Sequence, residues 1–222
     1  MIRRFRNRAE AGRLLARLLM PYAGRADVLI LALPRGGVPV AFEVARMLGA
    51  PLDILVVRKL GLPDQEELAM GAIAAGGVRV LNDEVVDALR VPDDIIDRVT
   101  ASEQAELERR ERVYRGDRPA PVLRDQTVML VDDGLATGTT MRAAIAAVRA
   151  QRPAQLVVAI PVAAAESLAA LRPLVDALIC VTAPEPFYAL GLWYEDFAPT
   201  TDAEVYALLA RAAPLNAPSA SS

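Results

Sequence analysis

Residues 127–141 read Thr127-Val-Met-Leu-Val-Asp-Asp-Gly-Leu-Ala-Thr-Gly-Thr-Thr-Met141, and this stretch decides the fold. Thr127 to Val131 has strand length and no polar alternation, the pattern of a strand covered on both faces. It delivers two adjacent carboxylates, Asp132 and Asp133, to its carboxyl end. Gly134 and Gly138 then permit tight turns, and Thr137, Thr139 and Thr140 add hydroxyls. A helical pattern follows from Thr140 to about Gln151. Free N–H groups at a helix start, together with the helix dipole, form an anion site. Two acids beside such a nest repel a bare anion. They suit a ligand with hydroxyls for the acids and a phosphate for the nest, a sugar phosphate. No Gly-x-x-x-x-Gly-Lys pattern is present, so this is not an ordinary P-loop.

Outward from this stretch, apolar runs of strand length alternate with helical patterns. Val28 to Leu33 ends in Pro34-Arg35-Gly36-Gly37, and a helix is predicted over Val38 to Leu48. Leu52 to Val57 is a second run, closed by Arg58-Lys59. Ala69 to Leu81, with Gly76-Gly77 inside it, reads as a hairpin. Leu156 to Val162 and Ala177 to Val181 are further strands. This alternation predicts an α/β fold with a parallel sheet and helices on both faces. Ligands bind such sheets at the carboxyl ends of the strands, near a topological switch. Pro92 to Arg118 is a charged helical insertion, read as a solvated helix held by Glu106–Arg110, Glu108–Arg112 and Glu111–Arg115 pairs. Near the start, Asn7 can cap a helix whose apolar stripe is Leu14, Leu15, Leu18 and Leu19. Residues 1–212 are expected to be one domain, and 213–222 a flexible tail.

Composition narrows the chemistry. The chain has 222 residues, 54% of them apolar, which is enough for a real core. No uncharged stretch approaches the ~20 apolar residues of a membrane span, so no membrane association is expected. A net charge of -3 argues against a dedicated nucleic-acid binder. Histidine is absent, which removes His-based zinc sites and Ser-His-Asp triads. Cys180 is the sole cysteine, allows no intramolecular disulfide and suits a reducing cytoplasm. Lys59 is the only lysine among basic residues that are otherwise all arginine.

An apolar strand followed by Asp-Asp and then Thr-Gly-x-Thr resembles the phosphoribosyl-pyrophosphate (PRPP) signature of the type I phosphoribosyltransferases. The resemblance implies that Asp132 and Asp133 bind the ribose hydroxyls, and that Ala136, Thr137, Gly138, Thr139 and Thr140 bind the 5′-phosphate. Pro34, Arg35, Gly36 and Gly37 stand where the family keeps its pyrophosphate loop, often with a cis peptide, here Pro34–Arg35. Arg58 and Lys59 stand where relatives place basic residues near pyrophosphate. Arg35 and Lys59 are therefore expected to act on pyrophosphate and not on the 5′-phosphate. Gly61 to Glu67 would open a mobile flap. Magnesium would bridge pyrophosphate and ribose, meeting Asp132 and Asp133 through water or the ribose hydroxyls. The acids are expected to meet ligand and not internal partners. Asp132, Asp133, Lys59 and Arg58 are the expected catalytic set. The chain is most similar to a poorly characterised subgroup sharing the Phe5-Arg6-Asn7-Arg8 start, the Leu33-Pro-Arg-Gly-Gly loop and a late Phe-Tyr…Trp-Tyr segment. A hydrolase domain follows in some of its members.

Residues 184–200 would form a small C-terminal hood, where Phe187, Tyr188, Trp193 and Tyr194 could wall a flat acceptor by stacking. The same aromatics could instead plug the sheet edge. Ala136 stands where oxopurine enzymes have an Asp facing the base, which weakens hypoxanthine and guanine as acceptors. Glu66 and Glu67 are candidate acid–base groups. The expected reaction is transfer of the phosphoribosyl group to a nitrogen acceptor, with release of pyrophosphate, by a homodimer. The rival is a non-catalytic module that senses PRPP or a nucleotide.

Overall fold

The structure is a computed structural model that describes residues 4–63, 65–75, 77–116 and 118–212, without the side chains of 65–68. The tail, Gly76 of the hairpin and the side chains of Glu66 and Glu67 lie outside the described residues. Five parallel strands form the main sheet: β1 (Val28–Ala32), β2 (Leu52–Ile54), β6 (Thr127–Val131), β7 (Gln155–Val162) and β8 (Ala177–Thr182). Their order is β2-β1-β6-β7-β8. β1 and β6 pair in register from Val28↔Thr127 to Ala32↔Val131. Every residue of both strands is buried, as the unbroken apolar runs require. The chain leaves β1 toward β2 on one side and later returns to β6 on the other. The switch point therefore lies between β1 and β6, and the loops that follow them are neighbours.

Alternate residues of these strands feed two cores. Ile30, Ala32, Met129 and Val131 pack with helices α1 (Arg8–Leu18), α2 (Gly37–Leu48) and α7 (Asp202–Arg211). Leu29, Leu31, Val128 and Leu130 pack with α5 (Thr139–Ala150) and α6 (Ala165–Leu171). Asn7 caps α1, accepting from Glu10 N–H at 3.0 Å. The buried face of α1 is Ala11, Leu15, Ala16 and Leu19, and Leu18 is exposed. The expected leucine stripe is thus rotated, and the close approach to α2 falls at Gly12, where a Cβ would stand 2.5 Å from Val40 O.

A second, antiparallel sheet holds β3 (Val57–Leu62), β4 (Gln65–Ala74) and β5 (Val78–Leu81) in that order. The expected hairpin is β4–β5. The Leu52–Val57 run divides, with β2 staying in the main sheet while β3 leaves it. Residues 61–67 belong largely to paired strands, with Gly61 opposite Ala69 and Leu62 opposite Gln65. The body of this flap sheet packs between α5 and α4 (Asp93–Arg115). A short helix, α3 (Asp83–Leu89), joins the sheet to α4.

The insertion is more than a solvated helix. Ile96, Leu107, Tyr114 and Arg115 of α4 are buried. Arg115 reaches Asp53 of β2 at 3.3 Å, and Asp53 is 0% exposed. The Glu106–Arg110 and Glu111–Arg115 pairs form at 2.8 and 2.7 Å, while Glu108 instead accepts from Gln104 at 2.9 Å. No helix among the described residues is long and apolar enough to cross a membrane.

Candidate functional site

The site is built where β1 and β6 end. Past β6, Asp132 Oδ1 accepts the Asp133 N–H at 2.8 Å, so the two carboxylates sit on one tight bend. Leu135 N–H donates to Val162 O, and Ala164 N–H returns to Leu135 O, tying the loop to the end of β7. Ser167 of α6 donates its hydroxyl to Ala136 O. Gly138 then takes φ +77°, a left-handed conformation that suits glycine, and α5 starts at once. No side chain caps α5. The first N–H groups of a helix have no partner within it, so here they face the loop of Thr137, Thr139 and Thr140. Thr137 and Thr140 are exposed, and the Thr137 and Thr139 hydroxyls lie 3.2 Å apart. This is the stretch over which the sequence predicts an anion nest.

The loop after β1 leans on the same bend. The Pro34–Arg35 peptide is cis, as the resemblance implied. A Cβ on Gly36 would stand 2.1 Å from Asp133 Oδ2, so only glycine fits between the loop and the carboxylate. The Gly-Gly pair is what lets the two strand-end loops touch. Arg35 extends to Asp202 of α7 at 3.7 Å, with both side chains half exposed. Such a loose pair holds little energy and leaves Arg35 able to turn.

The two acids differ. Burial pushes the Asp132 carboxyl well above the usual carboxylate range, and the neighbouring Asp133 charge adds to the rise. Asp133 is buried at 7% exposure, which also raises it, but Arg8 pulls the other way. Arg8 Nε donates to Asp133 Oδ2 at 2.7 Å. The expectation that both acids lack internal partners therefore fails at Asp133. Sequence reading misses Arg8 because its partner lies 125 residues away. Its one signal is membership in the Phe5-Arg6-Asn7-Arg8 start.

Arg58 and Lys59 do not act together. Successive strand residues point to opposite faces. Arg58 faces α4, where it meets Glu103 at 2.6 Å. Lys59 faces α5 and lines a cavity of about 660 Å³ with Ala72, Val80, Thr139, Arg142 and Ala146. Register explains the floor of this cavity, since Lys59 pairs with Ala72 and Ala72 with Val80. Arg58 and Lys59, expected together at pyrophosphate, are thus placed on opposite faces of β3. Lys59 lies at the start of α5, by the nest, and is not brought to Arg35.

The hood aromatics divide as well. Tyr194 is 1% exposed, donates its hydroxyl to Asp133 O and stacks on Phe197 at 5.0 Å. With Phe5 and Val162 it forms a small core, and Phe187 and Trp193 pack against it. Tyr194 therefore cannot wall an acceptor: it plugs the edge of the site and braces Asp133 from behind. Tyr188 is 80% exposed and remains accessible. Cys180 is half-buried, which pushes its thiol up to about 11. Among the described residues, no three His, Cys, Asp or Glu side chains converge as a metal cage.

This geometry can be set beside known proteins. A family profile described as "Phosphoribosyl transferase domain" matches residues 5–185. Two Mycobacterium tuberculosis proteins, from strains CDC 1551 and H37Rv, carry the name "Putative phosphoribosyl transferase". Each is 46% identical over 208 residues, which is 94% of this chain and 47% of theirs. The chain thus spans about half the length of these curated relatives. The crystal structure of TT1426 from Thermus thermophilus superposes with a TM-score of 0.85 at 40% identity, covering 95% of this chain and 100% of that one. The profile takes in both strand-end loops and the whole parallel sheet, and by it the chain belongs to the phosphoribosyl transferase family.

Proposed function

We propose that this chain binds magnesium–PRPP and transfers its phosphoribosyl group to a nitrogen acceptor, releasing pyrophosphate. One observation carries the reading. Asp132 and Asp133 stand between an uncapped helix start and a Pro34-Arg35-Gly36-Gly37 loop that only glycine lets approach. The nest of residues 136–140 takes the 5′-phosphate, the acids take the ribose hydroxyls, and the loop of residues 34–37 takes pyrophosphate. Lys59 supplies positive charge at the nest end. The carboxylates are costly to ionise where they stand, so a cation near them relieves that cost. Asp132 and Asp133 would meet magnesium through water or the ribose hydroxyls of the substrate. When bound, the metal would supply charge neutralisation, and the chain supplies position and fixed dipoles.

A sensor reading has its own support. With Tyr194 turned inward and alanine at 136, the acceptor side keeps little that recognises a base. Pyrophosphate release from magnesium–PRPP, measured against a panel of nucleobases, separates the two. Acceptor-dependent release that is lost in Asp132→Asn/Asp133→Asn supports transfer. Tight PRPP binding without release supports the sensor, and absence of PRPP binding removes the transferase and leaves only a sensor of another nucleotide.

A further inference from the structure

We propose that Arg8 is a positioning residue that couples the ribose-binding carboxylate to the hood, so that the two respond to ligand as one unit. The inference rests on Asp133 being a ribose ligand, as proposed above. Arg8 is not a lone surface cation. Its side chain is only 12% exposed, and it bridges two parts of the molecule that have no sequence proximity. Nε holds Asp133 at 2.7 Å while Nη1 donates to Ala198 O at 2.8 Å. The guanidinium carbon lies 4.1 Å from the centroid of the Phe197 ring. The planar guanidinium gives one N–H direction to each acceptor and one face to the ring, so displacement at any partner is felt at the others.

The backbone makes the same connection. Phe5 N–H donates to Trp193 O at 2.9 Å, Glu195 N–H to Phe5 O at 2.8 Å and Asp196 N–H to Arg6 O at 2.9 Å. The residues leading into Arg8 are therefore stitched to the hood along its length. Tyr194 adds a second link by donating to Asp133 O. The oxygen that Arg8 holds, Asp133 Oδ2, also fills the space against Gly36. The carboxylate is thus gripped between the pyrophosphate loop and Arg8, and rotation to meet a ribose hydroxyl must carry Arg8 with it. Arg8 would hold Asp133 in place and report its occupancy to the hood around Phe197 and Ala198.

Trp193 is the only tryptophan in the chain, and its indole Nε1 is buried without a hydrogen-bond partner, so its fluorescence reports on hood packing. Binding of magnesium–PRPP is measured by calorimetry and by Trp193 emission on the same samples. In the unmodified protein the emission is expected to change with the midpoint of the heat. In Arg8→Ala, affinity falls about tenfold or more, and the emission change is absent at saturation. Arg8→Lys keeps the charge but not the planar group that joins Asp133 to Ala198 and Phe197, so it regains most of the affinity and not the emission change. Phe197→Leu keeps the Asp133 pair and also loses the emission change, which tests the coupling even if Arg8→Ala fails to fold. A purely structural Arg8 lowers the melting temperature and leaves the saturated emission change intact, and that result overturns the proposal. So does an unmodified protein that binds PRPP with no emission change. If the unmodified protein binds no PRPP by calorimetry, the functional reading falls and takes this inference with it.

Discussion

The parallel sheet and the flap sheet place their polar side chains by different rules. β1 and β6 are buried along their whole length, so the polar groups they present are those just past the strand ends. Position along the chain then gives position at the site, and Asp132-Asp133 and Arg35-Gly36-Gly37 fall together as neighbours. In the antiparallel flap sheet, side chains alternate between two covered faces. Arg58 and Lys59 are adjacent in sequence and opposite in space, one on α4 and the other beside α5. Adjacent basic residues converge on one ligand when they follow a strand and diverge when they lie within one.

The sharpest way to break this picture is at the outer wall of the flap sheet. If α4 belongs to the core, Arg115→Ala leaves Asp53 buried and unpaired on β2. Removing one partner of a buried pair costs about 3–5 kcal/mol. Urea unfolding should show a loss of that size. Replacing both partners, Asp53→Leu with Arg115→Met, should recover most of it, because an apolar pair has no charge to desolvate. A loss under about 1 kcal/mol for Arg115→Ala would return α4 to the status of a solvated helix.

A smaller effect separates the two basic residues of β3. Lys59 lines the cavity at the start of α5, so Lys59→Ala should weaken PRPP and ribose 5-phosphate alike, by about tenfold. Selective loss of PRPP affinity would instead place Lys59 at pyrophosphate. Arg58→Ala should act on stability, by less than about 1 kcal/mol, and its effect should vanish in a Glu103→Ala background. A larger affinity loss from Arg58→Ala than from Lys59→Ala would reverse the assignment of faces.

The same contrast explains what is legible in advance. The parallel sheet, the strand-end loops and the uncapped start of α5 are legible because they depend on local pattern. Buried runs, Asp-Asp, Gly-Gly and Thr-Gly-x-Thr carry their geometry with them. Other features are not legible. Arg8 meets Asp133 across 125 residues, and nothing local in a basic amino terminus names its partner. Arg58 and Lys59 look like a strand end because the apolar run before them divides between two sheets. Tyr194 reads as a wall because aromatic clustering shows that rings gather and not which way they face. The charged surface of α4 hides a face that buries Ile96, Leu107 and Tyr114.

The mildest test compares two carboxylates whose environments push in opposite directions. Asp132, at the end of the parallel sheet, is raised by burial first and by Asp133 second. Glu106, on α4, is lowered to about 2 by hydrogen bonds from Arg109 and Arg110. A carboxyl raised in the folded state binds its proton more tightly there than when unfolded. Its contribution to stability is full below the ordinary range near ~3.9 and is lost as pH rises through the raised value. At pH 7, above the ordinary range, Asp132 therefore costs stability, and Asp132→Asn removes that cost while its amide oxygen can still accept the Asp133 N–H. The variant should melt about 2 °C or more above the unmodified protein at pH 7, roughly the effect of 1 kcal/mol in a domain of this size. The gain should shrink as pH falls, since the unmodified Asp132 then takes up its proton. Glu106→Gln should do the reverse if it does anything. Its ion pairs are present above the ordinary glutamate range and lost as pH falls through about 2, so at pH 7 the change is zero or a slight loss. Thermal melts of both variants from pH 4 to pH 8 give the comparison. If Asp132→Asn melts lower at pH 7, Asp132 is a structural acid like Glu106, and the contrast between a site strained for ligand and a helix satisfied by its own pairs does not hold.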